Sequence, residues 1–172
     1  MKEKLPGQVL ICENYPGLRE AFKLVLGDHY DLVFAESQEE IIPLVRQRPV
    51  RLVIWDIDRM EDSLDKTFEA VRNGDAAYSP QRVIPTEEVL SVLKSVRGTH
   101  PDLPILLVAG EIDTNFQITA IQQVGSIRFL TKPWDSSVAV AEQIQVMLGD
   151  KKSSIRHWIL RTPLAEPFVN QE

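Results

Sequence analysis

A single cysteine, Cys12, among 172 residues leaves no partner for an internal disulfide, so the core has to be held by packing. The expected compartment is a reducing cytoplasm, with Cys12 an inert core residue. Lysine and arginine are outnumbered by acidic residues, 19 against 25, for a net charge of -6. An electrostatic footprint on nucleic acid needs clustered cations, so none is expected from this chain. No apolar run approaches the ~20 residues of a membrane span, and Pro6 and Gly7 interrupt the N-terminal stretch where a signal-peptide core would lie. No membrane partner is expected. His29, His100 and His157 fall in unrelated contexts, which supports neither a histidine metal cluster nor a catalytic triad. Glycine is sparse, and neither G-x-G-x-x-G nor G-x-x-x-x-G-K-[ST] follows the first apolar run. Dinucleotide binding and P-loop hydrolysis therefore lack their phosphate cradle.

What the chain does have is alternation. Gln8 to Cys12 is a short apolar run closed by the polar turn Glu13-Asn14-Tyr15-Pro16-Gly17, and Leu18, Ala21, Phe22, Val25 and Leu26 then recur at helical spacing up to a capping Gly27. Tyr30 to Ala35 predicts a second strand. Ser37, with Glu40 three residues on, forms a capping box before a helix carrying Ile41, Leu44 and Val45. The third strand, Arg51-Leu52-Val53-Ile54-Trp55-Asp56-Ile57-Asp58, is the stretch around which the rest is organised: a run buried on both faces that delivers Asp56 to its carboxyl end. Thr86 to Gly98 predicts a helix, Pro104 to Ala109 a fourth strand and Thr114 to Val124 a helix. Ile127 to Thr131 makes the fifth strand, and Val138 to Leu148 the last helix. Strands alternating with helices imply parallel pairing through right-handed crossovers. The expected fold is α/β, a doubly wound five-stranded parallel sheet with helices on both faces.

In such a sheet ligands bind at the carboxyl ends of the strands. Three of those ends carry chemistry: Glu13 and Asn14 after the first, Asp56 after the third and Lys132 after the fifth. Two carboxylates, an amide oxygen and nearby main-chain carbonyls are hard oxygen donors suited to Mg²⁺. A lysine within reach would partly neutralise Asp56 and could pair with a phosphoryl group attached to it.

Through Val9-Leu10-Ile11-Cys12-Glu13-Asn14-Tyr15-Pro16, Leu52-Val53-Ile54-Trp55-Asp56-Ile57-Asp58 and Phe129-Leu130-Thr131-Lys132-Pro133-Trp134, the chain resembles a response-regulator receiver domain of the chemotaxis-regulator type, which has a flavodoxin-like fold. The resemblance implies that Asp56 is the phosphoacceptor, charged by a histidine kinase or a phosphotransfer protein, and that a downstream protein partner reads the result. It implies that Glu13, Asn14, Asp56 and the main-chain carbonyl of Asp58 hold Mg²⁺, that Lys132 contacts phosphate beside a Pro133 whose peptide bond can be cis, and that Phe129 is the switch aromatic. Phosphoryl transfer to a carboxylate demands in-line placement and neutralised charge, which a metal and a lysine supply.

Two departures from the family pattern matter. The fourth strand ends in Leu106-Leu107-Val108-Ala109-Gly110, so Ala109 stands where the family carries a Thr or Ser hydroxyl that bonds phosphate. One charge-assisted bond of ~1.5–3 kcal/mol is lost, although the Gly110 amide can still donate. Asn14 replaces a carboxylate and removes a negative charge from the metal site. The expectation is a receiver with altered switching, with a phosphorylation-independent interaction module as the alternative. Such a module would use the face of the fourth helix, fifth strand and fifth helix.

The domain is expected over residues 1–149. Between Asp56 and the fourth strand the chain exceeds the roughly thirty residues that a loop, a helix and a turn require, and the excess, Arg59 to Pro85, is read as an insertion with a short helix through Leu64, Phe68 and Val71. Residues 150–172 form a C-terminal extension that packs on its own domain or is exchanged in a homodimer. A rival from another class starts from Asp56-Ile57-Asp58, which also resembles the haloacid-dehalogenase D-x-D motif, with Asp56 as nucleophile, Asp58 as general acid and Lys132 stabilising the intermediate. That motif usually closes the first strand and is followed by Thr or Val two residues on. Here two strand–helix units precede it, Met60 stands at that position, and only Glu111 and Asp113 offer a later acidic pair.

Overall fold

The apolar runs become the parallel strands β1 (Gln8–Cys12), β2 (Asp31–Ala35), β3 (Val50–Asp56), β6 (Ile105–Ala109) and β7 (Ile127–Thr131). They form one sheet in the order β2-β1-β3-β6-β7. The structure, a computed structural model, describes residues 6–60, 81–132 and 137–149. The expected helix through Leu64, Phe68 and Val71, the Lys132–Pro133 peptide bond with Trp134 beyond it, and the C-terminal extension lie outside those residues.

Pleating explains why β3 is apolar without alternation. Val53 and Trp55 face one layer, and Leu52 and Ile54 the other, so both sets of side chains are buried. On the first face Ile41 and Val45 come from α2 (Ile41–Gln47), Val89, Leu93 and Val96 from α3 (Thr86–Thr99), and Phe116 and Ala120 from α4 (Thr114–Val124). On the second, Phe22 and Leu26 come from α1 (Pro16–Leu26), and Val140 and Ile144 from α5 (Ser137–Leu148). Cys12 is buried in the first layer, as expected of an inert core residue.

Helix starts follow local chemistry at two places. Pro16 occupies the first turn of α1, where its missing N–H costs nothing. The Asp113 carboxylate caps α4 by accepting the Phe116 amide at 2.9 Å. The capping box expected at Ser37 does not form. A 3₁₀ turn over Gln38–Glu40 intervenes and moves the start of α2 to Ile41, so Ser37 makes no side-chain cap bond and Glu40 accepts the Glu36 amide instead.

The larger difference lies next to Asp56. The stretch expected to be an irregular excursion is zipped at its root into an antiparallel ribbon of β4 (Asp58–Met60) and β5 (Gln81–Val83), with Asp58 opposite Val83. The ribbon is fastened to the sheet, since the Ile57 amide donates to the Val108 carbonyl and the Ile84 amide to the Ile57 carbonyl, each at 2.9 Å. The chain after Asp56 is therefore extended rather than turned, and Asp58 is held in place by the ribbon.

Candidate functional site

β1, β3, β6 and β7 are adjacent, and parallel pairing brings their carboxyl ends together. The Cys12–Trp55 and Ala109–Thr131 registers put Glu13, Asp56, Gly110 and Lys132 at one edge. Glu13, Asp56 and Asp58 are all buried, at 3%, 7% and 5% exposure. Buried acids need partners.

Lys132 supplies the central one. Its Nζ lies 2.7 Å from Asp56 Oδ2 and 3.0 Å from Asp58 Oδ2, while its main-chain amide donates to the Ala109 carbonyl at 2.8 Å. Burial alone would push the Lys132 ammonium down, but its bonds to and charge attraction from Asp56 and Asp58 outweigh this and hold it above the ordinary lysine range. The other Asp56 oxygen, Oδ1, accepts the Asp58 amide at 2.9 Å.

The resemblance gives Asp58 a main-chain carbonyl role; in the structure its side chain enters the site as well. Oδ2 also accepts the Gly110 amide at 2.6 Å, so the donor expected to meet phosphate is already engaged. The physical reason is the ribbon: in extended chain, residues two apart share a face, so Asp58 follows Asp56 inward. The D-x-D spacing was the sequence signal that could have shown this.

Glu13 lies on the opposite side of Asp56. Its Oε1 accepts the Tyr15 amide at 2.7 Å, and its Oε2 is buried without a hydrogen-bond partner. Burial first, then the Asp56 charge, push the Glu13 carboxyl up to about 8, and a hydrogen bond that a protonated Glu13 makes to Asp56 adds to the rise, against the opposing pull of the Tyr15 amide and Lys132. Glu13, Asn14, Asp56 and Asp58 line one crevice of about 10 Å³, room for a single water-sized body.

Ala109 is fully buried and brings no hydroxyl. Phe129, opposite Leu107 in the sheet, is half-buried against the core and meets Phe116 edge-on with ring centroids 6.1 Å apart. Of the acidic pair considered for a dehalogenase-like phosphatase, Asp113 is committed to capping α4. It and Glu111 line a separate cleft of about 270 Å³ with Ile57, Ile84, Val89 and Phe116.

An acidic residue after β1, an aspartate closing β3 and a lysine after β7 thus meet at the carboxyl edge of a parallel sheet of order β2-β1-β3-β6-β7. Solved structures agree on the fold. A response regulator from Thermotoga maritima is similar over 84% of this chain and 99% of its own, with a TM-score of 0.60 and 17% identity. A receiver domain protein from Methanospirillum hungatei JF-1 is similar over 84% and 94%, with a TM-score of 0.60 and 14% identity. The signal receiver domain of an HD domain-containing protein from Pseudomonas fluorescens Pf-5 is similar over 91% and 93%, with a TM-score of 0.58 and 20% identity. No family model and no curated protein matches the sequence. The chain has the response-regulator receiver fold. Among the described residues, no helix is long and apolar enough to cross a membrane.

Proposed function

We propose that the chain is a signal receiver that accepts a phosphoryl group on Asp56. The observation that carries this reading is the ion pair between Lys132 Nζ and Asp56 Oδ2 at 2.7 Å, at the carboxyl edge of the sheet beside the buried Glu13. An oxygen of the Asp56 carboxylate attacks phosphorus and forms an O–P bond. The P–N bond of a phosphohistidine on a kinase or phosphotransfer protein breaks, and the electron pair returns to the imidazole. Lys132 holds the acceptor carboxylate and lies beside the incoming anion, which is the positioning and neutralisation that phosphoryl transfer needs. The carboxylate-bound product changes what a downstream protein meets at this edge.

The donor set also suits Mg²⁺. Glu13 Oε2 is a buried oxygen without a hydrogen-bond partner, beside a second carboxylate, Asp56, whose charge already pushes its pKa up. A divalent cation is the partner such a pair lacks, and it would neutralise charge on the transferring oxygens. Among the described residues no three His, Cys, Asp or Glu side chains are grouped to hold a metal. Glu13 and Asp56 would therefore be helped by Asn14, main-chain carbonyls and water.

Incubation of the purified chain with acetyl phosphate and Mg²⁺, followed by intact mass spectrometry, tests the reading. One phosphoryl adduct is expected on the parent chain and none on Asp56→Asn. The same yield from both chains, or none from the folded parent, rules Asp56 out as acceptor. A second reading, a phosphorylation-independent interaction module, is supported by the missing hydroxyl at Ala109 and by the Gly110 amide already being bonded.

A further inference from the structure

Asp58 carries a buried carboxylate that phosphotransfer to Asp56 does not use. Its Oδ2 takes the Gly110 amide at 2.6 Å and lies 3.0 Å from Lys132 Nζ. These two donors, one at the end of β6 and one at the end of β7, converge on a single oxygen. A carboxylate oxygen and a phosphoryl oxygen make the same demand of such a pocket, for both are anionic acceptors of charge-assisted hydrogen bonds.

We propose that the Asp58 carboxylate is a built-in occupant of the oxyanion pocket formed by the Gly110 amide and Lys132, which it must leave before an anion can be held on Asp56. This rests on the reading of Asp56 as acceptor and extends it to a residue that governs the rate.

Occupancy and charge support it. The Asp58 side chain is the group already bonded to both donors, so an incoming anion meets them only in its place. Lys132 at present serves two carboxylates. Phosphorylation adds negative charge to Asp56, and a single ammonium would then face the phosphoryl group with Asp58 still beside it. Repulsion favours exit of the Asp58 side chain. Its main chain need not follow, because β4 is paired to β5 at Asp58 and Val83.

The full chain and its Asp58→Asn and Asp58→Ala variants are treated with acetyl phosphate and Mg²⁺, and adduct formation is timed by intact mass spectrometry. Beryllofluoride, an analogue of the phosphoryl group, is titrated in parallel while the Gly110 amide is followed by ¹⁵N NMR. Loss of one charge-assisted competitor predicts adduct formation and beryllofluoride binding about ten- to a hundredfold stronger in Asp58→Ala, with a smaller gain in Asp58→Asn, which keeps a neutral acceptor. Equal or weaker responses in both variants overturn the proposal. An Asp58→Ala chain that binds beryllofluoride more tightly while no chain forms a covalent adduct would refute phosphoryl transfer to Asp56 and leave the occupied pocket standing. Absence of both effects refutes both. Asp58→Asn preserves side-chain volume and carries the test if the alanine variant does not fold.

Discussion

Glu13 shows how one buried carboxyl ties the site to pH. Because burial and the adjacent Asp56 charge push it from the ordinary 4.5 up to about 8, the folded chain keeps a proton there that the unfolded chain has released. The stabilising contribution is fully present below about 4.5 and is lost as pH rises through about 8. The charged groups facing it are Asp56 and Lys132, and Lys132 opposes the rise without cancelling it. Glu13→Gln, which cannot ionise, should gain on the parent by about 1–3 kcal/mol between pH 6 and pH 9, the scale of a buried charge left without a partner. Urea unfolding at both pH values in metal-free buffer measures this, and a pH-independent difference between the two chains would contradict it. Glu13, Asp56 and Lys132 were legible in the sequence because each is a charged residue at the end of an apolar run. The side chain of Asp58 was legible only as the D-x-D spacing, which brings both carboxylates to one face only where the chain after Asp56 runs straight, and the residues that keep it straight are far along the sequence.

At the scale of elements, β4 and β5 show the same limit. Each is three residues long with no apolar alternation, and their pairing is set by proximity to the sheet rather than by their own pattern. Arg97, near the end of α3, is another feature periodicity could not reveal. Its guanidinium donates to the Val124 carbonyl at 2.8 Å and the Ser126 carbonyl at 2.8 Å, and also to the carbonyls of Leu103 and His100. It thereby ties the end of α4 and the turn before β6 to α3, in an environment where burial pushes its pKa down against the opposing charge of Asp102. Arg97→Ala should destabilise the fold by about 2–4 kcal/mol, since several partly buried carbonyls lose a charged donor at once. Arg97→Lys should recover only part of that, because an ammonium lacks the planar fork. A loss below ~0.5 kcal/mol on denaturant unfolding, the size usual for a plain surface change, would show these bonds to be replaceable by water.

Over the whole molecule, what could be read from sequence was the part set by burial on both sides. Continuous runs such as Leu52 to Trp55 specify central parallel strands, and these force helices onto two faces and bring the strand ends to one edge. That geometry couples the site to global stability. Glu13 and Asp56 follow β1 and close β3, two central strands with fully buried apolar residues, so unfolding separates them. A ligand that binds both carboxylates in the folded chain alone must raise the unfolding free energy, by about 2.7 kcal/mol at one hundred times its Kd. For a domain of this size that corresponds to a Tm increase of roughly 5–10 °C. Addition of Mg²⁺ is expected to produce such a rise, and EDTA to remove it. Because the cation must displace the Glu13 proton, the increment should grow with pH up to about 8 and then level off. Glu13→Gln and Asp56→Asn should each reduce it. A Tm unmoved by millimolar Mg²⁺ at pH 8 would mean that the unpartnered oxygen of Glu13 is satisfied by its own proton, and that any phosphoryl chemistry at Asp56 relies on Lys132 alone.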